Sequence, residues 1–343
     1  MQLCSCHKIL LEQCFVTVVQ YQVMKKKIVV IGGQTATGKT ALAVKLAREF
    51  NGEIVSADSR QVYIAMDIGT GKDISRSKYQ VLSVKKNLQI GFYETEGVKV
   101  WLYDVVKPDY QFNVGEYESL AREVIEDISK RGKIPFVVGG TGLYLRSLIN
   151  TLNDTVVPPN QTLRQEMKDF SVVKLQNKLK EFDKEKLESL NNSDKNNPRR
   201  LTRAIEIASW KKNHQVQQKE MYDYTAIILE NNEKQIKEKI ANRVKKRMAE
   251  GMTEEVKSLL KKGYDFNLPS FSATGYQEIK DFLIGKVTKE EAIEEWLKAE
   301  VNYAKRQNVW LKKFLPLSEK VLWLEAQDKD LYKKSKKHLL KNP

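Results

Sequence analysis

The sequence predicts an α/β fold with a parallel sheet flanked by helices, and three observations support this. Short apolar runs bounded by turn residues recur at positions 28–32, 53–57, 135–139, 225–229 and 321–324. Helical patterns at 39–50 and 115–131 separate the early runs. A glycine-rich loop joins the first run to the first helical pattern. Alternation of this kind is typical of parallel strands covered by helices.

The glycine-rich loop consists of Gly33, Gln34, Thr35, Ala36, Thr37, Gly38, Lys39 and Thr40. It follows a strand pattern and precedes a helix pattern, the order that a phosphate-binding P-loop requires. Gly33 and Gly38 let the backbone turn its N–H groups toward an anion, and Lys39 adds a positive charge. The Thr40 hydroxyl is placed for a Mg²⁺ ion. The front section is thus predicted to be a P-loop core that binds a polyphosphate, ATP being one candidate.

Composition adds a preference for polyanions. The 343 residues carry 59 Lys and Arg against 44 Asp and Glu, a formal net charge of +15. Such a surplus attracts nucleic acid, which is the first partner to consider. With 41% hydrophobic and 30% charged residues, neither a disordered chain nor a membrane protein is indicated, and no stretch is long and apolar enough to span a bilayer.

The cysteines and the early residues indicate where the folded chain begins. Cys4, Cys6 and Cys14 all precede Lys25, so a disulfide framework is excluded and a cytoplasmic protein is expected. No second ligand pair accompanies them, which argues against zinc. Because the first strand follows Met24 closely, Met24 is interpreted as the natural start and residues 1–24 as a disordered extension.

After the extension at 1–24, the chain divides into three further predicted parts. Residues 25–150 and 222–330 form the P-loop catalytic core with its C-terminal helices, and 331–343 form a basic tail. Residues 151–221, rich in lysine, asparagine and leucine at helical spacing, form an all-helical inserted subdomain. The C-terminal part is helical and basic. Alternating residues at 88–106 predict a hairpin at a sheet edge.

Candidate site residues follow the strands. Asp58 comes at the carboxyl end of the second strand and is expected to face the crevice where open α/β sheets bind ligands. It can hold Mg²⁺ or accept a proton, or it can simply form a turn with Ser59. Thr141 follows a third strand and offers a hydroxyl to the same cleft.

Two further patterns lie in the helical half. Arg243 and Arg247 sit one helical turn apart, so both can reach an anion, although solvated surface is the alternative. Trp296, Tyr303 and Trp310 recur every seven residues and are interpreted as core packing. Lysines at the same spacing on another face suit a nucleic-acid backbone; they are Lys298, Lys305 and Lys312.

Taken together, the motifs resemble those of the bacterial tRNA dimethylallyltransferase family, also called tRNA isopentenyltransferases. The matching stretches appear in the family's order and cover the chain from about 27 to about 315; they are 33–40, 58–63, 66–72, 134–145, 199–203, 273–276 and 305–307. One departure is Gln34, where family members usually have proline.

The resemblance implies transfer of a dimethylallyl group from its diphosphate to N6 of adenosine 37, next to the anticodon of tRNAs reading codons that begin with U. Diphosphate would be released. By resemblance, Asp58 would receive the proton of the adenine amine and Thr35 would hydrogen-bond the bridging oxygen. Lys39, Arg243 and the loop amides would hold the diphosphate, with Mg²⁺ at Thr40. A monomeric, cytoplasmic enzyme is expected.

The resemblance also implies contacts with the tRNA anticodon stem-loop. The residues that match these contacts are Asp58, Ser59, Arg60, Gln61, Thr141, Arg164, Arg199, Arg200, Leu201, Thr202, Arg203, Ser272, Gly275, Tyr276, Gln277, Lys305, Arg306, Gln307 and Lys312. Three alternatives stay open from the motifs. They are a P-loop small-molecule kinase, an adenylate isopentenyltransferase acting on AMP or ADP, and a nucleic-acid-binding ATPase without transfer activity.

Overall fold

The computed structural model describes residues 26–72, 79–85, 87–149, 155, 157–214 and 222–342, so the predicted extension 1–24 lies outside it. Within these residues one sheet is built from eight strands. They are β1 (Lys27–Gly33), β2 (Gly52–Ser56), β3 (Tyr79–Lys85), β4 (Leu88–Thr95), β5 (Val98–Trp101), β6 (Ile134–Gly139), β7 (Asp223–Glu230) and β8 (Val321–Glu325). Their order across the sheet is β3-β4-β5-β2-β6-β1-β7-β8.

The helices of the core flank this sheet. They are α1 (Lys39–Glu49), α2 (Val114–Lys130), α3 (Gly142–Ile149), α9 (Glu233–Ala249), α10 (Met252–Lys261), α11 (Tyr276–Leu283), α12 (Lys289–Phe314) and α13 (Leu331–Lys341). Five shorter or intermediate helices lie between α3 and β7. They are α4 (Gln161–Glu166), α5 (Val172–Phe182), α6 (Lys184–Ser189), α7 (Asn192–Lys195) and α8 (Pro198–Lys211).

The predicted α/β architecture is confirmed. All five apolar runs are strands, and β5, β2, β6, β1, β7 and β8 pair in parallel. The predicted hairpin is β4 with β5, paired antiparallel. The hairpin is not the outermost element, however, because β3 pairs with β4 beyond it. Strand β3 gave no sequence signal because a register shift between Val81 and Ser83 interrupts the alternation of apolar and polar residues.

Strand β1 shows why the core strands read as continuous apolar runs. Ile28 and Val30 pack into the cluster on one face of the sheet, whereas Val29 and Ile31 pack into the cluster on the other. Successive side chains of a strand point to opposite faces, so a strand covered on both sides must be apolar at every position. Helices on both faces follow from this pattern.

The described residues between 151 and 221 form helices joined by short turns, without a strand. They have their own small core of Met167, Leu175, Leu179, Leu201, Ala204, Ile205 and Ala208. Asn197 caps α8 by accepting the Arg200 N–H at 3.2 Å, with Pro198 in the first turn. Within the predicted basic tail, Leu331–Lys341 form α13. Its Ser335 and Leu339 are buried, so this segment is a packed part of the core.

The topology gathers the loops that carry chemistry at one edge of the sheet. The P-loop follows β1, Asp58 follows β2 and Thr141 follows β6. Because these strands are parallel neighbours, their carboxyl ends meet at the same edge. Among the described residues, no helix combines the length and apolar character needed to cross a membrane.

Glu53, at the opposite edge of the sheet, is expected to contribute strongly to stability. Its carboxylate is buried and accepts hydrogen bonds from Arg131 at 2.5 and 2.7 Å, Lys133 at 2.8 Å and the Trp101 indole at 2.9 Å. Burial alone would raise the pKa of Glu53, but these hydrogen bonds outweigh it and lower the pKa to about 2. The side chain therefore joins β2 to β5 and to the end of α2.

We expect Glu53→Gln to lower the free energy of unfolding by about 3 kcal/mol at pH 7, because the shift favours the ionised folded state by that amount. Since the folded pKa is depressed, this stabilisation is present above the unfolded pKa. The difference between the proteins should therefore narrow below pH 5 and vanish near pH 2. Urea titrations across this pH range measure it, with exposed Glu94→Gln as the control. Equal free energies of unfolding for Glu53→Gln and the native protein at pH 7 would contradict a stabilising role of Glu53.

Candidate active site

A cleft of about 560 Å³ opens at the carboxyl edge of the sheet. The P-loop, the Asp58 turn and the Gly140 segment form its floor, and α9 and α12 form its far wall. The predicted site residues that line it are Thr35, Ala36, Gly38, Lys39, Thr40, Asp58, Arg60, Gln61, Arg243 and Gln307. Residues far apart in the chain thus meet in one cavity.

The P-loop turns tightly against β7. A Cβ on Gly33 would lie 2.3 Å from the Leu229 carbonyl oxygen, so only glycine fits there. Gly38 is the N-cap of α1 and has a left-handed backbone conformation, with φ 79°. The Lys39 ammonium donates to the Gln34 carbonyl at 2.6 Å across the loop. Burial and the nearby Arg243 charge lower the pKa of Lys39 to about 8, partly offset by Asp58.

Arg243 and Arg247 both reach the cleft rather than forming solvated surface. Arg243 donates to the Thr35 hydroxyl at 2.5 Å, and Arg247 is buried and pairs with Glu300 at 2.9 Å. A Cβ on Gly71 would lie 2.1 Å from an Nη2 atom of each arginine. Gly71, at φ 68°, therefore lets the chain pass directly beneath the two guanidinium groups.

Asp58 forms a turn and also lies in the cleft. Its Oδ1 accepts the Arg60 N–H at 2.8 Å, which forms the turn, and the residue also lines the cleft. Thr141 accepts the Ser59 N–H at 3.0 Å and so holds this turn against the end of β6. Tyr303 stands nearby, where burial and the Asp58 charge raise its pKa to about 12.

Two glutamine side chains anchor the P-loop from inside the protein. Gln34 is buried, accepts the Asn231 N–H at 3.0 Å and donates to the Ala304 carbonyl at 3.4 Å. Gln307 is 7% exposed, accepts the Thr35 N–H at 2.8 Å and donates to the Gly140 carbonyl at 3.1 Å. Both polar ends of the Gln307 side chain are thus engaged within the protein, while the residue also lines the cleft, and its contact with tRNA stays a prediction.

Glu255 is a site residue that the sequence did not indicate. Its carboxylate accepts the N–H groups of Asp67 at 2.7 Å, Ile68 at 2.7 Å and Gly69 at 3.0 Å. Tyr276 donates to the same carboxylate at 2.7 Å and is fully buried, so the expected contact of its side chain with tRNA is also corrected. A glutamate on a helix is common, and only the fold brings this one to the loop.

The residues expected to contact tRNA from the helical insertion divide into two groups. Leu201 is buried in the small core, which corrects its expected contact with tRNA. Arg164 and Arg203 both bind the buried Glu206, at 2.6 and 3.1 Å, and thereby tie α4 to α8. In contrast, Arg199 and Arg200 are exposed at the start of α8, with Thr202 half-buried beside them.

The C-terminal candidates differ in the same way. Gln277 donates to the Phe266 and Phe271 carbonyls at 3.0 and 3.2 Å, and Gly275 packs beneath Trp296, whereas Ser272 is exposed. Lys305 and Lys312 are exposed but pair with Glu233 and Glu230, at 2.9 and 3.0 Å. Arg306 is exposed beside the Tyr303 ring.

The aromatic stripe on α12 is only partly core. Trp296 is fully buried, as predicted, and Trp310 packs against Gly142. Tyr303 instead lines the cleft, which corrects its interpretation as core packing. A seven-residue spacing identifies one helix face but not the place where that face passes from the core to a cavity.

The cleft is electrically polarised. Lys39 and Arg243 lie on the P-loop side of the cleft, and Asp58 supplies a carboxylate at the adjoining turn. Two further cations of the cleft are paired with carboxylates that line it, Lys246 with Glu250 and Arg247 with Glu300. Such an arrangement can hold a polyphosphate beside a proton acceptor. Thr40, in the first turn of α1, offers a hard oxygen of the kind that Mg²⁺ prefers. Among the described residues no group of three His, Cys, Asp or Glu forms a metal site.

The chain is similar to known proteins over most of its length. The sequence profile of the family described as IPP transferase matches residues 61–314. A tRNA dimethylallyltransferase of Thermoanaerobacter sp. (strain X514) is 37% identical over 331 residues, covering 93% of this chain and 98% of the relative. One of Clostridioides difficile (strain 630) is 38% identical over 301 residues, covering 85% and 90%.

Solved structures give the same result. The full-length tRNA isopentenylpyrophosphate transferase from Bacillus halodurans superposes with a TM-score of 0.65 at 33% identity, covering 93% of this chain and 96% of that one. A eukaryotic dimethylallyltransferase acting on tRNA superposes with a TM-score of 0.73 at 24% identity, covering 92% and 79%. At 24% identity, this second similarity supports the fold alone.

Proposed function

The chain belongs to the IPP transferase family, and from that premise we propose that it transfers a dimethylallyl group from dimethylallyl diphosphate to N6 of adenosine 37 in tRNA, releasing diphosphate. One observation carries the chemistry. Lys39 of the P-loop and Arg243 of α9 share a cleft with the carboxylate of Asp58. The relatives named above are tRNA dimethylallyltransferases by name, which supports prenylation of tRNA rather than a kinase reaction.

The diphosphate occupies the P-loop in this proposal. Lys39, Arg243 and the backbone N–H groups of residues 36–40 hold its oxygens, and α1 adds the partial positive charge of its N-terminus. Arg243 already donates to the Thr35 hydroxyl oxygen, so the Thr35 proton is left to face the oxygen that bridges carbon and phosphorus. That hydrogen bond strengthens as the carbon–oxygen bond breaks and negative charge grows on the leaving group.

Asp58 receives the proton. The adenine N6 lone pair attacks the first carbon of the dimethylallyl group, the carbon–oxygen bond breaks, and diphosphate leaves with the electron pair. The N6 proton then passes to the Asp58 carboxylate. Adenine is a weak nucleophile because its amine lone pair is delocalised, so alignment supplies a large part of the acceleration. The base has to leave its stack to reach the cleft.

Mg²⁺ fits the residues at the loop. The Thr40 hydroxyl would hold it together with diphosphate oxygens and waters, since Mg²⁺ keeps several waters and uses few protein ligands. When bound, the ion neutralises charge on the departing diphosphate.

The helical insertion, 151–221, and the C-terminal residues 305–312 are proposed to receive the anticodon stem-loop. Arg199 and Arg200 are exposed at the start of α8, and the chain carries a net charge of +15. Phosphate contacts from such residues make affinity fall steeply with salt. A transferase for free AMP or ADP needs no surface of this kind.

A transfer assay with labelled dimethylallyl diphosphate tests this function. The acceptors are an unmodified anticodon stem-loop with adenosine 37, the same RNA with guanosine 37, and AMP. Label is expected on the first RNA only, and mass spectrometry of its nucleosides should show N6-dimethylallyladenosine. Label on AMP would favour adenylate prenylation. Phosphate transfer from ATP to a small acceptor, without any prenylation, would support a kinase.

We expect the reaction to weaken in alkaline solution because Lys39 must be protonated to hold diphosphate. With the pKa of Lys39 at about 8, kcat/KM for dimethylallyl diphosphate should fall about tenfold per pH unit above pH 8. Initial rates at saturating tRNA between pH 6.5 and 9.5 measure this. Lys39→Arg keeps its charge at high pH, so its profile should be flat. An equally flat profile in the native protein would contradict the role of Lys39.

A further inference from the structure

The side chain of Gln307 on α12 spans the two halves of the cleft. Its Oε1 accepts the N–H of Thr35 at 2.8 Å, and its Nε2 donates to the carbonyl of Gly140 at 3.1 Å. The residue is 7% exposed at the wall of the cleft that it helps to line, so the bond to Gly140 is buried and the bond to Thr35 is partly buried. One amide group therefore joins the loop after β1 to the segment after β6.

The two anchored segments serve different partners of the reaction. Thr35 belongs to the loop that takes the diphosphate. Gly140 precedes Thr141, which accepts the Ser59 N–H at 3.0 Å and donates its own N–H to the Ala57 carbonyl at 3.2 Å. These two bonds hold the chain on either side of Asp58. Gln307 is thus connected to the leaving-group loop directly and to the proton acceptor through one segment.

Only a glutamine meets the requirements of this position. The bridge needs one acceptor and one donor at the end of a side chain of this length, and an amide supplies both. An ionised glutamate cannot donate, and leucine can do neither. The amide of Gln307 also packs closely against Gly140, because a Cβ on Gly140 would lie 2.2 Å from Gln307 Nε2.

We propose that Gln307 is a positioning residue that fixes the diphosphate-binding loop relative to Asp58, and so sets the alignment of the two substrates; this inference rests on the proposed function. Displacing a reacting group by about 1 Å can cost about 100-fold in rate, so a rigid connection between the half-sites matters for turnover more than for binding. Helix α12 is suited to the task because it also holds Gln34, through the Ala304 carbonyl.

Gln307→Leu tests the proposal, with Asn302→Ala as the matched control, since Asn302 is an exposed amide on the same helix. We expect the single-turnover transfer rate at saturating substrates to fall about 100-fold in Gln307→Leu. Affinities for inorganic diphosphate and for the anticodon stem-loop, each measured separately, should change by less than about threefold. The control should match the native protein in all three.

Gln307→Glu provides a second readout that does not depend on tolerance of leucine. Burial raises the pKa of a carboxyl group placed here, and the protonated acid can restore both hydrogen bonds. The rate of Gln307→Glu relative to the native protein should therefore rise as pH falls from 8 to 6. The charged groups that line the same cleft are Lys39, Asp58, Arg60, Glu96, Arg243, Lys246, Arg247, Glu250 and Glu300. These groups titrate in both proteins, so their effect on the rate largely cancels when the rate of Gln307→Glu is divided by that of the native protein.

The outcomes separate the hypotheses. A raised dissociation constant for tRNA with an unchanged transfer rate at saturation would assign Gln307 to tRNA contact and overturn the positioning role. A pH-independent rate ratio for Gln307→Glu would overturn it as well. A native protein that transfers no label to RNA would overturn the proposed function itself, and the inference with it.

Discussion

Asp58→Asn is expected to lower kcat about 1,000-fold, within the range that a positioned proton acceptor contributes. Asparagine keeps the shape of the side chain and can still accept the Arg60 N–H that forms the turn. It cannot accept a proton from the adenine amine. The loss should therefore appear in the chemical step and leave the fold and the tRNA affinity unchanged.

Single-turnover rates and tRNA binding measured on the same preparation separate these effects. Asp109→Asn, at an exposed aspartate, is the control for loss of one negative charge. If Asp58→Asn retained more than about a tenth of the native rate, Asp58 would not be the proton acceptor. A nucleic-acid-binding ATPase without transfer activity, which the motifs alone left open, predicts no transfer by the native protein and nearly intact nucleic-acid binding in Asp58→Asn.

Arg243→Gln is expected to lower kcat by at least about 100-fold, the loss typical when one preorganised donor to a developing negative charge is removed. Two contributions are lost together. The guanidinium no longer faces the diphosphate, and the Thr35 hydroxyl loses the 2.5 Å hydrogen bond that orients its proton. Arg243→Lys keeps the charge but not the planar fork, so only partial recovery is expected.

Transfer rates together with inhibition by inorganic diphosphate measure this prediction. Lys245→Gln is the matched control, because Lys245 lies on the same helix and is exposed. Gly71→Ala is expected to resemble Arg243→Gln, since a Cβ there would collide with the guanidinium groups of Arg243 and Arg247. A native transfer rate in Arg243→Gln would show that Arg243 does not contribute to the reaction.

Sequence patterns predicted the fold of this protein because the fold depends on the local order of apolar strands, loops and helices along the chain. Residues of β1 are apolar at every position, since both faces of the sheet are covered, and the glycine loop follows directly. The P-loop and Asp58 each come at the end of a strand pattern, which is enough to place them at one edge of a parallel sheet. Strand β3 was not predicted because the register shift between Val81 and Ser83 breaks the two-residue alternation that identifies a strand.

Tertiary structure alone decided what individual polar residues do. Gln307, Tyr276 and Leu201 lie in stretches that suggested contact with RNA, yet all three side chains are buried. Glu255 carried no signal, yet it binds three successive N–H groups. A polar side chain is defined by the partners that the fold brings within about 3 Å, and those partners lie far away in the chain. Periodicity and motif order therefore determined the fold and the place of the cleft, whereas long-range packing determined which side chains face substrate and which hold the site together.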